Sequence, residues 1–150
     1  MARLGRYRDA EDEFRKILTV SNDELYVLGI ESGAIQLELA KSIRGQDRNA
    51  DADMELRVLM DSTESDEIYA EAAFTRAKLL ADAGLSEAAV AYRTAVRAAE
   101  VAWGINHSNT LVIYANATDD LRNRAGNPVA IHEVLDRQFR KADFSDMEDN

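Results

Sequence analysis

One helical phrase recurs four times along this chain at about forty-residue spacing, and that recurrence restricts the fold more than any other feature. It first runs from Gly5 through Tyr7, Ala10 and Phe14 to Ile17, and it returns as Gly84-Leu85-Ser86-Glu87-Ala88 followed by Tyr92 and Ala95. Weaker forms stand at Ala52, Leu56 and Leu59, and at Gly126, Ala130, Val134 and Arg137. A repeat of this length predicts an array of antiparallel helix pairs, because one pair is too small to bury its apolar face without stacking on the next. Pro128 is the only proline and there are seven glycines, so long stretches are free of helix breakers. The expected fold class is all-α, with about seven helices.

Apolar spacing locates those helices. Tyr7, Ala10, Phe14, Ile17 and Leu18 share one face of a helix over 7–20, with Arg8, Asp9, Glu11, Asp12, Arg15 and Lys16 opposite. Ser21-Asn22-Asp23-Glu24 matches a capping box and predicts a second helix over 23–44, which buries Leu28, Ile35, Leu37, Leu39, Ala40 and Ile43. Gly29 and Gly33 weaken its start, by a kink or by close helix packing. Further helices are predicted over 50–60, 66–83, 86–103, 110–124 and 129–141. Gly84 is expected at a left-handed cap, and Pro128 before the last helix. Residues 1–141 thus form a helical domain, and 142–150, with Asp143, Asp146, Glu148 and Asp149, read as a flexible acidic tail.

Composition narrows the function. The net charge is −10, from 28 acidic and 18 basic residues, which argues against nucleic acid and against anionic membrane surfaces as direct ligands. No cysteine is present, so thiol nucleophiles and thiolate metal sites are excluded. His107 and His132, the only histidines, share no ligand spacing, and the acidic run at 61–67 reads as a solvated helix start. Gly84, Gly104 and Gly126 punctuate helices singly and build no phosphate loop. No metal, cofactor or catalytic residue is expected. Neither a membrane span nor a leader is legible, and the expected location is the cytoplasm.

The helix pairs resemble tetratricopeptide repeats. Ala10-Phe14-Ile17 and Ala88-Tyr92-Ala95 match the small–large–aliphatic pattern of that family's second helices; Leu39-Ala40-Ile43 matches its first helices. Ala52-Leu56-Leu59 fits less closely, and Ala130-Val134-Arg137 departs at its last position. Trp103-Gly104-Ile105-Asn106-His107-Ser108-Asn109-Thr110-Leu111, with Asn116 beyond, is similar to the linker of the long-repeat subgroup that includes kinesin light chains and many bacterial regulators; Ser108 replaces the usual proline. Spacings of 42, 36 and 42 residues between Ala10, Ala52, Ala88 and Ala130 exceed the ordinary 34 and favour that subgroup.

The resemblance implies a right-handed superhelical array whose first helices line a concave groove. Positions facing it correspond to Glu38 and Lys41, to Glu71, Thr75 and Lys78, and to Asn116 and Asp119. Lys41, Lys78 and Asn116 are the leading candidates for holding an extended peptide, since an Asn carboxamide both donates to and accepts from a peptide backbone. The expected role is a non-catalytic module that binds a peptide or helix of another protein. The alternative is a regulatory sensor, in which a small peptide or effector in the groove controls an output domain or the oligomeric state. The chain opens on what corresponds to the second helix of a pair. Leu4, Tyr7, Phe14, Ile17 and Leu18 are therefore expected to form an interface, in a homodimer or against further repeats.

Overall fold

The computed structural model describes residues 2–20, 24, 31–84 and 86–124. Within them the chain forms six helices and no strand: α1 (Ala2–Leu18), α2 (Ser32–Gly45), α3 (Asn49–Ser62), α4 (Asp66–Asp82), α5 (Ala88–Trp103) and α6 (Ser108–Arg124). The capping-box residues 21–23, Leu28, Gly29, the helix predicted over 129–141, His132 and the acidic stretch 142–150 lie outside the described residues.

Local chemistry accounts for the boundaries. The Ser65 hydroxyl accepts from the Ile68 N–H at 3.2 Å and caps α4, whose first turn carries Asp66 and Glu67 against the positive end of the helix dipole. The acidic run at 61–67 thus includes the start of a helix, as expected, with Asp61 and Ser62 ending α3 and only 63–65 between the two helices. Gly84 (φ +71°) ends the segment after α4 in the left-handed region expected of it. Gly33 sits inside α2, where an added Cβ would meet Ile68 Cδ1 at 3.1 Å. It serves close helix packing.

α1 packs on α2, and short connections bring each of α3 to α6 back against its predecessor. In addition α2 touches α4, and α4 touches α6. Those three helices form one row, with α4 central. The position of α4 explains its composition. Ala70, Ala72, Ala73 and Ala77 are all buried, and such small side chains let α3, α5 and the flanking row helices approach it together. Its closest partner α5 answers with Ala88, Ala91, Ala95 and Ala99. Ile43, Leu56, Leu59, Tyr92 and Val96 are the largest of the fully buried side chains. Their burial, at ~25 cal/mol per Å² of apolar surface, is what holds the pairs together. Ion pairs then fix the register between elements: Arg76 Nε to Asp53 Oδ1 at 2.7 Å joins α4 to α3, and Arg44 Nη2 to Asp82 Oδ2 at 2.8 Å joins α2 to α4.

Candidate functional site

The row α2–α4–α6 encloses an open cleft of about 400 Å³. Lys41 and Arg44 reach it from α2, and Glu71, Phe74, Thr75 and Lys78 from α4. Trp103 closes one end from α5, and Asn109, Val112 and Ile113 line the side formed by α6. Four turns of helix therefore project onto one concavity because i, i+3 and i+4 positions share a face: Lys41 with Arg44, Glu71 with Thr75, Thr75 with Lys78, and Asn109 with Val112 and Ile113.

The predicted groove residues divide into two groups. Lys41, Glu71, Thr75 and Lys78 come together in the cleft. The Lys78 ammonium lies over the Phe74 ring, 5.4 Å from its centroid, and forms no ion pair among the described residues. Lys41 Nζ is 3.4 Å from Glu38 Oε1 on an exposed helix face, a pair worth little in water. Thr75 is buried and its hydroxyl donates to the Glu71 carbonyl at 2.8 Å. Its role is to shape the floor, since its proton is already committed to the helix. Glu38 reaches the rim only through Lys41. Asn116 Nδ2 donates to the Val112 carbonyl at 2.8 Å, and neither Asn116 nor Asp119 lines the cleft. Asn116 stands one turn beyond Val112, so one of the two N–H donors of the carboxamide expected to read a peptide backbone is spent on its own helix.

Several cleft residues carry no signal in a one-dimensional reading. Arg44, Phe74, Val112 and Ile113 look like ordinary helical residues. Only the row packing turns Val112, 55% exposed, toward the same concavity as Lys78. Trp103 belongs to the recognisable linker, and the structure explains that motif. Gly104 (φ +95°) turns the chain out of α5, and the Thr110 hydroxyl reaches back to the Gly104 carbonyl at 2.7 Å. His107 Nδ1 accepts from the Asn109 N–H at 3.1 Å at the start of α6. Its ring stacks on Trp103 with centroids 6.1 Å apart. The linker thereby locks the indole at the cleft mouth.

A second polar cluster anchors α1. Glu11 is buried, with its side chain only 10% exposed. Its Oε1 accepts from Gln46 Nε2 at 2.9 Å and Arg48 Nη1 at 2.7 Å, and its Oε2 from Arg15 Nη2 at 2.9 Å. Burial by itself would push the carboxyl pKa upward; the hydrogen bonds from Gln46, Arg15 and Arg48 and the Arg48 charge outweigh it, and the carboxyl is held below its ordinary value. Around this cluster lie the predicted interface residues. Tyr7 rests on Gly45, Phe14 and Leu18 pack on the core from its edge, and Ile17 is half-buried. The Leu4 side chain lies outside the described residues. The α1 face is thus largely spent on α2 and the α2–α3 corner.

Among the described residues no group of three or more His, Asp or Glu side chains is arranged to hold a metal ion, and no helix is long and apolar enough to cross a membrane. No protein-family model, curated protein sequence or solved structure matches this chain.

Proposed function

We propose that this chain is a non-catalytic interaction module that holds a peptide or helix of a partner protein in the α2–α4–α6 cleft. The observation that carries the reading is the convergence of Lys41, Arg44 and Lys78 with Phe74, Trp103 and Val112 on one open concavity, in a chain whose net charge is −10. Cations beside exposed apolar surface suit a segment that carries acidic and apolar side chains together. The tetratricopeptide-like reading, with a right-handed superhelical course, belongs to the same proposal; it rests on the repeat positions in the sequence, and the row formed by alternate helices is compatible with it.

Selection from a displayed library of random twelve-residue peptides provides the test. The protein is expected to enrich acidic sequences with an aromatic or aliphatic anchor, and Lys41→Ala with Lys78→Ala is expected to abolish their capture while far-UV circular dichroism stays unchanged. Equal capture of the same peptides by the double variant would refute the assignment of the cleft.

A further inference from the structure

The cleft has an evident match within the chain itself. Residues 143–150 contain Asp143, Asp146, Glu148 and Asp149 and no basic residue, with Phe144 and Met147 between them. We propose that this acidic stretch is the cleft's resident ligand, bound intramolecularly and displaced when a partner arrives. The inference rests on the reading of the cleft as a binding site and adds what holds it when no partner is present.

Charge complementarity is the first support. Lys41, Arg44 and Lys78 line the cleft against one acidic lining residue, Glu71. Arg44 is held by Asp82 and Lys41 weakly by Glu38, which leaves the Lys78 ammonium, on its Phe74 ring, as the cation in the cleft with no carboxylate partner among the described residues. The apolar spacing is the second. Phe144 and Met147 stand three residues apart, a separation that serves two anchors on one side of a short segment, and Trp103, Phe74 and Val112 offer the facing surface.

Reach is the third. Val112 precedes Arg124, the last residue of α6, by about 18 Å of helix at ~1.5 Å per residue. The chain from Arg124 to Asp143 is 19 residues long and can span far more than that distance, at up to ~3.3 Å per residue. A tethered ligand of this kind has an effective concentration on the order of 1 mM. A contact with a Kd of only about 0.1 mM is then roughly nine-tenths occupied, and an external ligand binds about tenfold more weakly than to an empty cleft.

The test uses the full chain at low micromolar concentration. Zero-length carbodiimide coupling followed by peptide mapping is expected to join Lys41 or Lys78 to a carboxylate of 143–150 within the monomer. Trp103 is the only tryptophan and stands in the cleft, so its fluorescence reports occupancy. A synthetic peptide of sequence 143–150 is expected to perturb that fluorescence, with about tenfold tighter binding to the full-length Phe144→Ser, Met147→Ser variant than to the unmodified chain. That variant keeps every charge, which separates cleft occupancy from general repulsion. Coupling only between isotopically distinct copies, absence of the coupled products, equal peptide affinity for both proteins, or no peptide binding to either would each overturn the inference. None of those results touches the Lys41- and Lys78-dependent capture of library peptides, which stands or falls by itself.

Discussion

Gly45 carries a prediction whose sign depends on one neighbour. It is the last residue of α2 and has an ordinary helical backbone, so nothing about its conformation requires glycine. Taken alone, Gly45→Ala should stabilise the helix by about 0.5 kcal/mol, the lower end of the alanine–glycine difference, because a terminal position gains less than an interior one. The tertiary setting reverses this. An added Cβ would lie 2.5 Å from Tyr7 Cδ1 and 2.6 Å from Cε1 and Cγ. Because Cγ is the root of the ring, swinging the ring tip away does not relieve the contact; the side chain must change rotamer or α1 must lift. Overpacking of this kind costs about 1–3 kcal/mol. The clash wins, and Gly45→Ala is expected to be destabilising by about 1–2 kcal/mol net, a fall in Tm of several degrees for a chain of this size. In a Tyr7→Ala background the same substitution should become neutral or stabilising by about 0.5 kcal/mol. Urea denaturation of the four proteins of this cycle, followed by circular dichroism at 222 nm, measures the coupling directly. A Gly45→Ala effect of the same sign and size in both backgrounds would refute the docking of α1 on the end of α2.

Two further outcomes follow from packing and charge. Leu56→Ala should cost about 2–5 kcal/mol in chemical denaturation, since Leu56 is fully buried, whereas Val58→Ala two residues later on the exposed side should stay within about 0.5 kcal/mol; similar losses at both would mean that α3 faces the core differently. Glu11 predicts an acid-labile α1: its folded pKa lies below the ordinary 4.5, so its stabilising contribution is fully present above pH 4.5 and is lost as pH falls through the lowered value. Unfolding free energy should therefore decline more steeply below pH 4.5 in the unmodified protein than in Glu11→Gln, and parallel pH profiles would remove Glu11 from that role.

Four of the six described helices follow closely from the sequence, whereas the helix expected over 23–44 does not run through: Glu31 is extended (φ −89°, ψ 119°) and α2 begins at Ser32. The apolar periodicity of those four, the Gly84 boundary and the near absence of proline act within a few residues, and α3 to α6 lie within about two residues of the expected ends. Within the cleft, Lys41, Glu71, Thr75 and Lys78 were reachable from repeat register alone, because register assigns each residue a face of its helix. Register says nothing of what a side chain is already bonded to. Thr75 and Asn116 each donate to a carbonyl of their own helix, a competition that depends on rotamer and local crowding. Nor does it bring Arg44, Phe74, Trp103 and Val112 to one concavity, since these come from four helices whose distances are set by how closely the alanines of α4 and α5 allow packing. The same limit applies at α1, where Glu11 looks like one more solvated charge in the sequence; Gln46 and Arg48, across a stretch of more than thirty residues, bury it and hold it ionised. Sequence determined helix, face and charge sign, because those follow from covalent neighbours. Tertiary structure decided which polar groups were left to meet a ligand, because that depends on which long-range partners reached them first.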